Sequence, residues 1–123
     1  MSGTKVLADT NIFINLSEGK GNVEPFLEGK DVYISIISEI ELLGWYKITD
    51  SEKLFFETII GDCLLIELIP EIKRQAIRIK QQHRIKLPDA VIAATAMFLG
   101  IPLLTFDAGF AKIADLDLIL LEL

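Results

Sequence analysis

The sequence predicts an α/β fold: a three-layer α/β/α arrangement around a mainly parallel central sheet. Short apolar runs alternate with longer amphipathic stretches along the chain, which is the pattern of strand–helix–strand units. Apolar residues make up 51% and charged residues 24%, a balance that supports a buried core and excludes disorder. The 123 residues suit one domain spanning 1–123, large enough to fold without a disulfide or a structural metal.

The elements follow in order. Lys5-Val6-Leu7-Ala8 reads as a buried first strand ended by Asp9-Thr10-Asn11. Asn11 to Leu16 starts a short helix that Gly19 and Gly21 stop, and Val23 to Leu27 forms a helical turn with Pro25 near its start. Val32 to Ile36, rich in β-branched residues, is the second strand. Ser38 to Tyr46 follows as a helix with Ser38 as its N-cap. Another helix runs from Asp50, its expected cap, to about Ile60, and Gly61 terminates it. Leu64 to Leu68 is a third strand closed by Pro70. The helix from Glu71 to about His83 carries the apolar stripe Ile72, Ala76 and Ile79. Pro88 opens an alanine-rich helix that Gly100 stops after Leu99. Leu103 to Phe106 is a fourth strand, Phe110 to Ile113 a short helix, and Leu118 to Leu121 a last strand.

Some classes are excluded at once. Mean hydropathy is +0.45. Even so, the longest apolar candidate, Ala90 to Leu104, is broken by Thr95, Gly100 and Pro102, short of the ~18 residues a membrane span needs. Met1 to Lys5 leads into the first strand with no cleavage signature, so no signal peptide is expected. The single cysteine, Cys63, has no internal partner and reads as a small buried hydrophobe. The expected setting is cytoplasmic.

Charge is divided along the chain. The net charge of −6 argues against nucleic acid only if it is spread evenly. It is not. Lys73, Arg74, Arg78, Lys80, Arg84 and Lys86 fall within fourteen residues free of Asp and Glu. That window carries +6 and leaves −12 to the rest. On a helix these residues do not form one clean stripe, so a solvated face accounts for most of them. Arg84 and Lys86 lead directly into Asp89 and are the expected substrate-backbone contacts.

In doubly wound sheets ligands bind outside the carboxyl ends of the strands, so residues just after each strand matter most. Asp9 ends the first strand and Asp107 the fourth. Glu41, with Glu39 two positions earlier, lies near the start of the helix after the second strand, and Asp89 opens the alanine-rich helix. Any one of these is an ordinary turn former or cap. Four at one end of a sheet suggest more. Clustered carboxylates cannot all stay ionised without compensation. An oxygen-only set without histidine or cysteine suits Mg²⁺ or Mn²⁺ rather than zinc. Such an ion activates water and stabilises phosphate charge, so acids flanked by basic residues point to phosphodiester hydrolysis.

At this point the residues resemble the PIN-domain family of metal-dependent ribonucleases, most closely its VapC-like toxin branch. The motifs are Asp9-Thr10-Asn11, Ser38-Glu39-Ile40-Glu41-Leu42-Leu43-Gly44, Leu87-Pro88-Asp89-Ala90 running into Ile92-Ala93-Ala94-Thr95-Ala96, and Leu104-Thr105-Phe106-Asp107 followed by Phe110. The resemblance spans nearly the whole chain. It implies that Asp9, Glu41, Asp89 and Asp107 form an acidic Mg²⁺ or Mn²⁺ site, supported by Thr10, Asn11 and Thr105. Glu41 is preferred to Glu39 because it directly precedes the leucine, although the glycine falls three positions later where many members have it four later. The resemblance also implies an RNA substrate, a homodimer, and a small antitoxin covering the apolar segment Leu54-Phe55-Phe56 and Ile59-Ile60, whose excess of hydrophobes suits an interface.

Other features have plainer readings. His83 at a basic helix end reads as a C-cap. Trp45-Tyr46, after Gly44, reads as packing between neighbouring helices, with exposure for partner binding or base stacking as the alternative. Rival functions are a non-catalytic PIN-like protein-interaction or RNA-scaffold module, and an aspartate phosphatase or receiver domain. Asn11 removes the phosphatase Asp-x-Asp, and the receiver's paired acids are absent.

Overall fold

The computed structural model describes residues 4–123. Met1 to Gly3, where the amino-terminal reading began, lie outside the described residues. The elements run β1 (Lys5–Ala8), α1 (Thr10–Glu18), α2 (Glu24–Leu27), β2 (Asp31–Ser35), α3 (Ile36–Leu43), α4 (Asp50–Gly61), β3 (Leu64–Ile66), α5 (Pro70–Gln82), α6 (Leu87–Leu99), β4 (Leu103–Thr105), a 3₁₀ turn (Ala108–Lys112) and β5 (Leu118–Leu120). The strands form one sheet in the order β3-β2-β1-β4-β5, every pairing parallel.

Strand periodicity divides the core into two layers. Leu7, Tyr33 and Leu103 point to the face covered by α5 and α6. Val6, Ala8, Ile34 and Leu104 point to the opposite face, with Ile12 and Phe13 of α1, Leu42 of α3, and Phe56 and Ile60 of α4. The expected three layers are present. Within α6, Ala90 to Ala96 are all buried. Small side chains let this helix pack against both α5 and the sheet, and Thr95 satisfies its buried hydroxyl by donating to the Val91 carbonyl at 2.7 Å. Gly100 ends the helix in the left-handed conformation (φ 67°) that glycine adopts without strain.

Several boundaries differ from those expected. The helix α3 begins at Ile36, capped by the Ser35 hydroxyl, which accepts from the Ile37 amide. Its β-branched opening residues imitate a longer strand, and Ser38 is a buried helix residue rather than the cap. Thr49, not Asp50, caps α4, through a reciprocal capping box with Glu52. Pro70 starts α5 rather than merely closing β3. Asp107 lies two residues past β4 and caps the 3₁₀ turn, accepting from the Gly109 amide at 2.8 Å. Tyr46, beyond the end of α3, is 85% exposed rather than packed between helices, while Trp45 is half-exposed.

The topology places the site. From β1 the chain steps to β2 and β3 on one side, then returns through α5 and α6 to β4 on the other. The crevice of such a reversal opens beyond the carboxyl ends of β1 and β4. Asp9 and Thr105 stand at those ends.

Candidate active site

Asp9 is the centre of the arrangement. It follows β1 directly, and its amide donates to the Leu104 carbonyl at 2.9 Å, which ties it to β4. The residue is 6% exposed, and both carboxylate oxygens are engaged. One accepts from the Thr10 amide and the other from the Thr105 hydroxyl, each at 2.8 Å. Thr105 Oγ1 in turn accepts from the Asp107 amide at 3.0 Å. Thr10 connects the other way: its hydroxyl donates to Glu41 Oε1 at 2.6 Å and lies 2.8 Å from Ser38 Oγ. A hydroxyl has one proton, so with Thr10 donating to Glu41, Ser38 donates to Thr10. A continuous network therefore runs from Asp107 through Thr105, Asp9 and Thr10 to Glu41.

These residues open onto a cavity of about 630 Å³. Asp9, Glu41, Asp89 and Asp107 all line it, with Thr10, Asn11 and Lys86. Glu41 faces the cavity and Glu39 does not. Although α3 starts earlier than expected, which puts Glu41 in its second turn, Glu41 remains on the cavity side. Asn11 is exposed, and its carbonyl accepts from the Asn15 side chain. The rest of the lining combines apolar Ile14, Leu42, Trp45 and Phe56 with two further acids, Glu18 and Glu52.

Electrostatics mark two acids. Burial raises the Asp9 carboxyl to about 6. The hydrogen bonds from Thr105 and Thr10 oppose that shift, while the charges of Asp89 and Glu41 add to it. Asp89 is also raised, first by burial and then by Asp107 and Glu41, with Lys86 and Lys112 pulling the other way. Four carboxylates therefore share one electrostatic environment that favours added positive charge.

The donor set fits a hard divalent cation. It is oxygen-only, with His83 and Cys63 both absent from the cavity wall. Among the described residues no three His, Cys, Asp or Glu groups are drawn into one tight coordination cluster. That spacing is compatible with Mg²⁺, which keeps several waters and commonly takes only one or two carboxylates directly.

Arg84 and Lys86 part company. Lys86 lines the acidic cavity, whereas Arg84 lines a smaller neighbouring one of about 220 Å³ together with Lys86, Asp89, Asp107 and Lys112. His83 sits at the α5 C-cap position, its amide donating to the Ile79 carbonyl. Cys63 is half-buried, and burial pushes its thiol up to about 11, as befits a packing residue. Sequence reasoning missed Ser38 and Lys112 as neighbours of the site. Ser38 was legible in principle, since it lies one helical turn before Glu41 on the same face.

The PIN-domain family model matches residues 6–116. Among solved structures, a chain of a toxin–antitoxin complex from Klebsiella pneumoniae is 28% identical with a TM-score of 0.82, over 96% of this chain and 99% of that one. A chain of VapBC2 from Rickettsia felis bound to a promoter DNA fragment is 18% identical with a TM-score of 0.80, over 97% and 100%. A chain of VapBC-1 from nontypeable Haemophilus influenzae is 21% identical with a TM-score of 0.79, over 95% and 98%. The last two share the fold. No curated protein sequence matches. With motifs, sheet topology and family model agreeing over nearly its whole length, the chain belongs to the PIN-domain family.

Proposed function

We propose that this chain is a divalent-metal-dependent endoribonuclease acting as the toxin of a toxin–antitoxin pair. The observation that carries the reading is the convergence of Asp9, Glu41, Asp89 and Asp107 on one cavity at the carboxyl ends of β1 and β4. Asp9, Glu41, Asp89 and Asp107 would hold the ion. When bound, Mg²⁺ or Mn²⁺ supplies positive charge opposite the scissile phosphate and acidifies a water.

The chain's own residues do the rest. Thr105 and the Thr10 amide hold the Asp9 carboxylate in one orientation, so no reorganisation is needed when substrate arrives. Thr10, itself held by Ser38, does the same for Glu41. Asp89, whose carboxyl is made more basic by burial and by its neighbours Asp107 and Glu41, is placed on the cavity wall to accept a proton from the attacking water. Lys86 offsets the charge of the RNA backbone as it crosses the acidic rim.

The toxin role is supported by the likeness to the Klebsiella pneumoniae toxin–antitoxin complex. It is also supported by apolar side chains left outside the fold: Ile40, Tyr46 and Leu54 are 59%, 85% and 66% exposed. A small antitoxin, or a second copy of the chain, would cover them. A short reading frame beside this one, encoding a DNA-binding segment with a tail, would identify the pair.

Cleavage of labelled single-stranded RNA tests the enzyme. The wild-type chain cuts in Mg²⁺ or Mn²⁺ and stops in EDTA, and Asp89→Asn folds but does not cut. An Asp89→Asn protein that keeps full activity in EDTA would overturn the reading.

A further inference from the structure

The acidic cavity has a basic neighbour, to which the sequence pointed through Arg84 and Lys86 but not through Lys112. Beside it lies the cleft of about 220 Å³ lined by Arg84, Lys86 and Lys112, and its remaining wall includes Asp89 and Asp107. Three cations thus border two of the acids. They come from separate parts of the chain: Arg84 and Lys86 from the loop between α5 and α6, Lys112 from the end of the 3₁₀ turn. Lys112 is fixed in place by donating to the Arg84 carbonyl, which leaves its other N–H groups available.

The cations have not collapsed onto the acids. Among the described residues the one contact ion pair is Lys20–Glu18, far along the chain from this cleft. Lys86 and Lys112 line the same cleft as Asp89, yet neither forms a contact pair with it. All three basic residues are exposed. A cleft with three positive groups held near two negative ones, without mutual neutralisation, is complementary to an anion that sits among the cations while adjoining the acids.

We infer that this cleft is a phosphate subsite, in which Lys112, Lys86 and Arg84 hold the backbone phosphate next to the one presented to Asp9 and Asp89. This rests on the reading of the chain as a ribonuclease and names the part of the RNA that the cleft takes. Lys112 is here a substrate-binding residue that also orders the Arg84 loop. Successive phosphates along a single strand reach both cavities because the two share Lys86, Asp89 and Asp107.

Fluorescence anisotropy of a labelled single-stranded RNA in EDTA, measured against salt, tests the inference without requiring cleavage. Lys112→Gln is expected to weaken binding roughly tenfold at low salt and to reduce the salt slope by about 0.7, the loss of one phosphate contact. Lys112→Arg restores both, and Lys73→Gln, the same charge change on α5, leaves both near wild type. In Mg²⁺, Lys112→Gln raises KM and leaves kcat within a few fold. Equal binding and slope in wild type and Lys112→Gln would overturn the inference, as would an equal loss in Lys73→Gln, which reports net charge alone. Absence of RNA binding by the wild-type chain would overturn it too. A wild-type chain that binds RNA through Lys112 but never cuts it would defeat the nuclease reading and leave the subsite standing.

Discussion

The acidic and basic sides of the same cleft are built in opposite ways. Asp9 and Thr105 stand at the ends of the two central strands, buried, with every polar atom of Asp9 committed. Arg84, Lys86 and Lys112 stand on a loop and a 3₁₀ turn, exposed, with Lys112 tied to a backbone carbonyl. The first side has position at the expense of solvation, and burial raises its acid to about 6. The second keeps its solvation and forms no contact ion pair among the described residues. Changes on the acid side should therefore alter chemistry and stability together, while changes on the basic side should alter affinity and salt dependence alone.

The sharpest way to break this contrast is at the acids. Asp9→Asn should lower RNA cleavage by about a thousandfold or more, the scale of losing an electrostatic element of a preorganised site. Circular dichroism should show the fold retained. If activity survives, the buried side is structural only.

The pH dependence of stability sharpens the same contrast. Burial lifts the folded Asp9 carboxyl from its ordinary value of 3.8 to about 6, so the folded state binds this proton more tightly than the unfolded state. Its ionisation therefore destabilises: the penalty is absent below about 3.8 and grows to its full size above about 6. A shift of that size corresponds to about 3 kcal/mol. In EDTA, the melting temperature of Asp9→Asn minus that of wild type should rise as pH increases through this window. A pH-independent difference would mean that burial does not strain Asp9.

Thr105→Val should be smaller in stability but informative. It removes a buried donor to Asp9 and costs about 1–3 kcal/mol. It should also move the Asp9 titration upward, because that hydrogen bond holds the carboxylate form. An activity–pH profile shifted to higher pH checks this. The smallest effect is expected far from the cleft. Gly100→Ala forces a left-handed residue onto alanine with open space around it, for about 1 kcal/mol and unchanged cleavage.

How much of this was legible depended on range. The bounds of β1 and the buried stripe Ile72, Ala76 and Ile79 follow from local pattern, and both appear as read. Leu-Pro-Asp-Ala before an alanine run marks α6 because proline and aspartate suit a first turn and small residues suit burial. The start of α3 is hidden in the sequence because Ile36 and Ile37 look like strand and only the Ser35 cap reveals the helix. Thr49 and Asp50 are both good caps by residue type, and only the Glu52 side chain reaching back to Thr49 distinguishes them. Tyr46 departs from expectation because exposure is a tertiary property: an aromatic beyond a helix end carries no local sign of which way it turns. Lys112 was invisible for the same reason, being 28 positions from the carbonyl it meets.

Asp9, Glu41, Asp89 and Asp107 are proposed to act as one cation site although no three are gathered into a tight cluster. Calorimetric titration of the wild-type chain with Mn²⁺ near pH 6 tests it most directly. Because Asp9 titrates at about 6, binding should be saturable and should release protons, seen as a heat that varies with the ionisation enthalpy of the buffer. Asp9→Asn and Asp89→Asn should each abolish that binding. Identical isotherms for wild type and both variants, or no binding by any of them, would contradict the account.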